Sequence, residues 1–446
     1  MVDRGNHHPL LNALGESMRT TSILLPLFIA GAAACSSSAL PTAAPSGSDP
    51  SSTGSLLEPP PAGKGQQLTM TTTLEAGQEI ERVQFFQVPP GGLYVNRAEV
   101  RFSPGSHHVL LYRTPYTSIP TVDVHGKTQN TSTILDAPSG GTADWKIDGV
   151  VAGAQSADAP PLLDGLPPNV AVKIEGGTVL LMNTHYLNAT TKPISVEARI
   201  NLWSLPKEQV TVEAGILFYY DPIIHLAPRS TGYAEMSCPV QADITVVNLQ
   251  THMHRRGVGG EAFVLPPGST TPEKIYESDA WEAVPVKTYA PNMPIKSGSW
   301  MNYHCNYKNN EDRSIIQGLS TKDEMCMLIG VYYPKDTKTE LCSVDGTYDH
   351  ISSAGIWAGK DGTATCIQSM DCLGSASAAD GAYECILNAC PKAAKPLNET
   401  FKCINSESTN CKLGCAGAAD PRSCAQTCAQ KACASLLKTC TYATCE

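Results

Sequence analysis

The sequence has little charge and no excess of positive charge. Only 17% of its 446 residues are charged, and the net charge is −10 at pH 7. Nucleic-acid binding calls for a basic patch, so we expect no nucleic-acid partner. With 42% hydrophobic residues, the composition is typical of a globular protein rather than a disordered one. A chain of this length predicts two to four domains.

The apolar run near the N-terminus, residues 23–30, is too short to span a membrane. Arg19 precedes it and small residues up to Cys35 follow it, which is typical of a secretory signal over residues 1–35. Met18 is an alternative true start. Cys35 resembles the lipid-modified cysteine of bacterial lipoproteins, although that family usually has Leu where Ala32 stands. We therefore expect a secreted or cell-envelope protein, with Cys35 as its lipid anchor or, alternatively, with ordinary cleavage.

The remaining chain divides by composition. Residues 36–66 are rich in Ser, Pro and Ala and predict a flexible linker. Short strand-like runs separated by Gly- and Pro-containing turns then predict a mainly β protein with antiparallel sandwiches. We expect two consecutive β domains at residues 67–205 and 206–350, a linker at 351–365 and a small cysteine-rich module at 366–446.

A His-x-His motif ends one predicted strand. Ile244–Val247 is β-branched, and Gln250, His252 and His254 follow at alternate positions. Alternate residues of a strand share a face, so the two imidazoles can bind one metal ion. The motif alone is weak, because two surface histidines with hydrogen bonds would give the same pattern.

Other candidate ligands support a metal protein. His107 and His108 are adjacent, His185 ends another strand-like run, and Met325 precedes Cys326. Adjacent residues of a regular strand point to opposite faces, so His107 and His108 can share a metal only if the strand bulges or ends there. A thioether ligand favours Cu(I), whereas zinc rarely takes methionine, so the pattern indicates copper. The alternative for Met325 is core packing.

These motifs, in this order, resemble those of the copper type II ascorbate-dependent monooxygenases, which include peptidylglycine α-hydroxylating monooxygenase and dopamine β-monooxygenase. The resemblance covers roughly residues 65–345. It implies two copper ions per chain, with O2 and ascorbate or another reductant as co-substrates. His107, His108 and His185 would hold the electron-transfer copper, and His252, His254 and Met325 the O2-activating, catalytic copper.

The resemblance also bears on the substrate, a small molecule or a peptide. The peptide-amidating enzymes bind a carboxylate through an Arg, an Asn and a Tyr, where this chain has Gln250, Met327 and Ile329. The charge-assisted hydrogen bonds to a carboxylate are therefore lost. We expect these three residues, with Asn183 in a cleft between the metals, to contact an apolar or neutral substrate.

The sequence has 17 cysteines, and none lies in the first predicted β domain. If Cys35 is lipidated, an even number remains, which suits disulfides in an oxidising compartment. The resemblance implies the pairs Cys305–Cys326 and Cys238–Cys342. The 12 cysteines after residue 365 predict a helical module with up to six disulfides, which could bind a protein partner. A zinc module is the alternative, but residues 351–446 contain no histidine.

Three functions compete at this point. The first is a copper-dependent monooxygenase that hydroxylates a C–H bond. The second is a non-catalytic copper-binding or interaction protein on the same scaffold. The third is a zinc hydrolase that uses His252 and His254 and is indifferent to Met325.

Overall fold

The computed structural model describes most of the chain after the predicted signal segment and its linker. The described residues are 57–138, 144–157, 162–318, 321–343, 355–357, 362–376, 379–406, 408–409, 411, 414–415 and 418–445. The signal segment, Met18 and Cys35 lie outside them. In the described part, no helix is long and apolar enough to cross a membrane.

The first domain is a sandwich of two five-stranded sheets, in the orders β1-β9-β3-β7-β10 and β5-β2-β8-β4-β6. Its strands are β1 (Gly65–Leu74), β2 (Glu79–Gln87), β3 (Leu93–Phe102), β4 (Ser106–Arg113), β5 (Leu135–Asp136), β6 (Gly149–Ala154), β7 (Val170–Ile174), β8 (Val179–Leu187), β9 (Ile194–Ser204) and β10 (Val212–Glu213). A 3-10 helix, Lys207–Gln209, precedes β10. β10 pairs with β7, so this sheet extends beyond residue 205, the expected end of the domain.

The second domain repeats this architecture with the sheets β17-β14-β20-β11-β21 and β16-β15-β18-β13-β22 and a short pair, β12-β19. Its strands are β11 (Gly215–Asp221), β12 (His225–Leu226), β13 (Thr231–Pro239), β14 (Ile244–His252), β15 (Gly257–Leu265), β16 (Glu273–Ser278), β17 (Lys287–Ile295), β18 (Trp300–Lys308), β19 (Ile315–Ile316), β20 (Cys326–Tyr333), β21 (Leu341–Cys342) and β22 (Ile356–Trp357). A short helix, α1 (Thr337–Glu340), precedes β21. β22 lies in the segment expected to be a linker.

The sheet that contains β14 and β20 is buried on both faces. β20 reads CMLIGVYY, and seven of its eight residues are buried, as its nearly continuous apolar sequence favours. Leu328 and Tyr332 face the core of the second domain. The alternate residues Met327, Ile329 and Val331 belong to the core cluster of the first domain. The two domains are therefore joined through an apolar contact as well as by the chain.

The C-terminal module is helical and packs on the second domain. Its helices are α2 (Cys366–Ser375), α3 (Ala379–Leu387), α4 (Pro391–Asn405), α5 (Pro421–Ala432) and α6 (Ala434–Tyr442). Six disulfides hold the module together: 366–440, 372–385, 390–445, 403–433, 411–428 and 415–424. Apolar residues of the module share one buried cluster with the second domain, and His225 Nε2 lies 2.8 Å from Asp380 Oδ1. The predicted mainly β fold with a cysteine-rich helical module is confirmed.

Candidate metal centre between the two domains

The second-domain residues of the centre come from neighbouring strands. His252 is the last residue of β14 and lies opposite Met327 of β20, while Met325 immediately precedes β20. Met325 is 8% exposed and His252 is 6% exposed. Gln250 and His252 contact the same side chain, that of Gln155, so they share a face as the alternation predicts.

Two disulfides brace this part of the sheet, and both are pairs that the resemblance implied. Cys305–Cys326 joins β18 to the first residue of β20, next to Met325. Cys238–Cys342 joins β13 to β21. The many disulfides of the chain indicate an oxidising, extracellular type of environment.

Glu324 connects the turn after β14 to the start of β20. It is fully buried, and its carboxylate accepts hydrogen bonds from the backbone N–H groups of His254 and Arg256, each at 2.9 Å. The Arg256 guanidinium is 3.4 Å from the same carboxylate. Burial raises the pKa of Glu324 to about 7, although these hydrogen bonds and the charge of Arg256 act in the opposite direction. Glu324 thus holds the backbone of the turn that carries His254.

The first-domain residues lie on β4 and β8. His108 pairs with His185 across the two strands, and both are nearly inaccessible to solvent. The register shifts between Ser106 and His108, so His107 is the extra residue of a β-bulge. This is the irregularity that two adjacent histidine ligands require. The His107 side chain lies outside the described part of the structure.

A carboxylate on β2 holds His185. His185 Nε2 is 3.2 Å from Glu79 Oε1, and Thr321 of the second domain donates to the same oxygen at 2.8 Å. Partial burial raises the pKa of Glu79, but the Thr321 hydrogen bond and the nearby His185 outweigh it, so the net shift is downward. Glu79 is therefore an ionised acceptor for the His185 ring.

The histidines of the two domains form one contiguous series. The ring centroids are 5.3 Å apart for His108 and His185, 5.8 Å for His108 and His252, and 5.3 Å for His252 and His254. The sequence led us to expect a cleft between two metal sites. In this structure the apolar contact between the domains brings the first-domain ring of His108 next to the second-domain ring of His252.

Hydrogen bonds fix which ring nitrogen carries the proton. His254 Nδ1 is 3.1 Å from the backbone carbonyl oxygen of Asp323, which can only accept, so Nδ1 is the donor. The carboxylate of Glu79 likewise accepts a hydrogen bond from His185 Nε2, so that nitrogen carries the proton. The lone pair is then on Nε2 of His254 and on Nδ1 of His185. A metal-binding histidine commonly donates its other nitrogen to such an acceptor, so these groups suit a metal.

The chemistry of the donors fits copper better than zinc. The described candidates are four imidazoles and the Met325 thioether, and soft sulfur with imidazole suits copper. In the described residues, no group of three or more His, Cys, Asp or Glu side chains is arranged to hold a metal ion. The expected second-domain set contains only two residues of those types, and the first-domain set needs the undescribed His107 side chain.

The expected substrate residues have other contacts here. Met327 and Ile329 are each 6% exposed within the apolar contact between the domains. Gln250 accepts a hydrogen bond from Gln155 at 3.3 Å. Asn183 is buried within β8, two residues before His185, and donates to Glu81 at 3.0 Å.

Glu79, Gln155 and Thr321 are residues of the centre that were not among the candidates from sequence. Glu79 contacts His185 and Gln155 contacts His252, each from a distant part of the chain. Thr321 contacts Glu79, the acceptor of His185. Strand alternation predicts a face within one strand, but it does not predict which strand lies opposite. Only the packing of the two domains brings these side chains to the histidines.

Two mainly antiparallel sandwiches with histidines at their contact define a class of β-sandwich protein with a candidate metal centre. Within this chain, residues 214–354 match the C-terminal domain of the copper type II ascorbate-dependent monooxygenase family. The match covers the second domain, with His252, His254 and Met325, and it confirms the family that the motifs indicated.

Likenesses to solved structures are weak. They include a triple jelly-roll protein of an archaeal virus (10% identity, 61% of this chain and 59% of that chain, TM-score 0.18). The major capsid protein P2 of bacteriophage PM2 gives 8% identity, 60% and 98% coverage and a TM-score of 0.24. A peptide-N(4)-(N-acetyl-β-D-glucosaminyl)asparagine amidase gives 8% identity over 59% of this chain and 96% of that chain, with a TM-score of 0.25. At these scores the likenesses carry no conclusion about function.

Proposed function

We propose that the chain is a secreted or lipid-anchored copper-dependent monooxygenase that hydroxylates a C–H bond. One atom of O2 enters the substrate as a hydroxyl group and the other leaves as water. Two electrons from a reductant such as ascorbate and two protons balance the reaction. The observation that supports this proposal best is the buried histidine series, to which both domains contribute.

Each set of ligands has a separate role in the proposal. His107, His108 and His185 hold one copper ion, and His252, His254 and Met325 hold a second. Bound copper supplies the electron transfer and the activation of O2, which protein side chains cannot supply. Hydrogen bonds to one ring nitrogen hold His185, His252 and His254 in place, and the burial of the described rings keeps bulk water away from the centre.

The proposed substrate is neutral or apolar. Met327 and Ile329 give the second-domain face an apolar surface, and Gln250 places an uncharged amide beside His252. A carboxylate at this position would lack the charge-assisted hydrogen bonds that an arginine provides. Asn183, two residues before His185 in β8, is the proposed first-domain contact for the substrate.

One observation favours a non-catalytic copper-binding protein as the second candidate. Met327 and Ile329 are buried by the first domain, so the face that would receive a substrate is covered in this structure. A protein that only holds copper needs no access to this face. The two candidates differ in one measurable property, because only the enzyme consumes O2 in proportion to added substrate.

Copper stoichiometry of purified, copper-reconstituted protein tests the two-site proposal. We expect two coppers per chain in the wild type, with Met325→Ala and His108→Ala each weakening a different site. His304→Ala is the matched control, because His304 lies outside the series and contacts Glu261. One copper or none, or zinc held in preference to copper, would contradict the proposal. Reductant-driven O2 consumption, with and without candidate substrates, then separates enzyme from binding protein.

A further inference from the structure

Gln155 is a first-domain side chain that contacts the second-domain half of the metal centre. It follows β6, and its side chain reaches the end of β14. Its amide nitrogen donates to the Thr251 carbonyl oxygen at 3.0 Å and to Gln250 Oε1 at 3.3 Å. Its amide oxygen accepts a hydrogen bond from His252 Nδ1. One side chain thus contacts three consecutive residues of the strand that ends at the His-x-His motif.

The orientation of this amide follows from its partners. The Thr251 carbonyl oxygen can only accept, so the group beside it must be the NH2 of Gln155. The oxygen of the amide is then the atom that faces His252, and it can only accept. His252 Nδ1 therefore carries the proton, and the lone pair of the ring is on Nε2.

The two histidines of the motif differ in the origin of their acceptors. The acceptor for His254 Nδ1 is the Asp323 carbonyl oxygen, which belongs to the second domain. The acceptor for His252 Nδ1 belongs to the first domain. Separation of the domains would remove the hydrogen bond of His252 to Gln155 and leave that of His254 to Asp323 intact.

We propose that Gln155 is a positioning residue that sets the tautomer and orientation of His252 only while the two domains are packed together. The second-domain metal site is then fully formed only in the packed state. Domain contact and metal affinity are thereby linked, because anything that favours the packed state also favours the binding-competent His252 ring. The proposal rests on the proposed function for the identity of the metal, but its hydrogen bond exists without metal.

Nitrogen NMR of the metal-free, full-length protein, labelled with 15N-histidine, tests the tautomer directly. We compare wild type with Gln155→Leu, Gln155→Glu and Gln87→Leu. Gln87 is the matched control, because its amide donates to the first-domain carbonyl oxygens of Thr117 and Gly177. We expect the Nδ1-protonated form of His252 in the wild type, the control and Gln155→Glu, whose carboxylate still accepts. Gln155→Leu should give a mixture of tautomers at His252 and leave His254 unchanged.

Copper affinity, measured by competition with a chelator, is the second readout. Loss of such a supporting contact typically costs about 10- to 100-fold in metal affinity, so Gln155→Leu should weaken the second-domain site by that factor and leave the first-domain site unchanged. An unaltered His252 tautomer in Gln155→Leu would overturn the inference, as would equal weakening of both sites. If the wild-type protein did not bind copper, only the proposed function would be contradicted. The inference about Gln155 would still be tested by the NMR result, which does not depend on metal.

Discussion

At the scale of single residues, the candidate centre shows how three histidine rings are held through one of their nitrogens. Each of His185, His252 and His254 places one ring nitrogen against an acceptor: a carboxylate, a side-chain amide oxygen and a backbone carbonyl oxygen, respectively. The acceptor fixes the proton and thus the nitrogen that carries the lone pair. The sequence pattern predicted these histidines as candidate ligands, but it did not predict their hydrogen-bond acceptors. Two of the acceptors lie about 100 residues from their histidine in sequence.

Asp221 is a buried carboxyl group whose ionisation should be visible in stability. It is fully buried at the end of β11, and burial raises its pKa from 3.8 to about 8, although the Ile223 N–H opposes the shift. Between those values the folded protein holds a proton that the unfolded chain has lost. The free energy of unfolding should therefore fall as the pH rises from about 4 to about 8, by about 1.4 kcal/mol per pH unit from this group.

The substitution Asp221→Asn removes that proton equilibrium and keeps an oxygen for the Ile223 N–H. We expect its stability relative to wild type to increase steadily from pH 4 to pH 8, as measured by denaturant unfolding at several pH values. Asp243→Asn is the control, because the pKa of that exposed aspartate is lowered by Lys296 and its effect belongs below pH 4. A pH-independent difference for Asp221→Asn would contradict the prediction.

At the scale of strands, sequence periodicity predicted the faces well. Met325, Met327, Ile329 and Val331 do share a face, and Cys326 and Leu328 occupy the opposite one. The period of two is imposed by the backbone and needs no knowledge of the neighbours. Which residues pack against each face depends on tertiary packing. The methionines therefore lie in a contact between domains, which their spacing alone could not show.

The disulfide at the start of β20 should stabilise the strand that presents Met325. Cys305 and Cys326 close a loop of 21 residues, for which chain entropy suggests about 3 kcal/mol. We expect Cys305→Ser combined with Cys326→Ser to lower the free energy of unfolding by about that amount. Copper affinity should also fall at the second-domain site, as measured by chelator competition, because the Met325 backbone is less restrained.

The matched control for this variant is the pair Cys415→Ser and Cys424→Ser in the C-terminal module. These two cysteines are also joined by a short loop, but they lie in the helical module. Copper affinity should then be unchanged at both sites. Equal affinity in the Cys305/Cys326 variant and the wild type would show that the disulfide is irrelevant to Met325.

At the scale of the whole molecule, the contact between the domains determines the centre. Thr321 and Glu79 are 242 residues apart in sequence yet hydrogen-bonded, and Asn248 donates to the first-domain carbonyl oxygen of Leu162 at 2.9 Å. A single sequence contains no periodic signal for such pairs. The two sandwiches were predictable from turns and alternation, whereas their mutual packing was not.

Phe218 tests the strength of this contact. Its ring packs edge-to-face on Tyr112 of the first domain, with centroids 6.5 Å apart. Phe218→Ala should remove about 3 kcal/mol or more of packing energy. We expect the calorimetric unfolding transition to move to lower temperature and to separate into two as the domains uncouple.

Phe263→Ala is the control for this measurement, because Phe263 stacks on His304 of the other second-domain sheet. That substitution should lower stability without separating the transitions. A Phe218→Ala protein with the wild-type transition would show that the apolar contact contributes little to holding the domains together.

The β-bulge in β4 has a consequence for how such proteins can diverge. Because His107 is the extra residue of the bulge, its deletion would restore a regular ladder and leave His108 opposite His185. Loss of a single codon could thus abolish one expected ligand while the sandwich keeps its pairing. If the chain is the copper enzyme proposed above, a lineage that no longer needs turnover would have a one-step route to a metal carrier that does not pass through an unfolded protein.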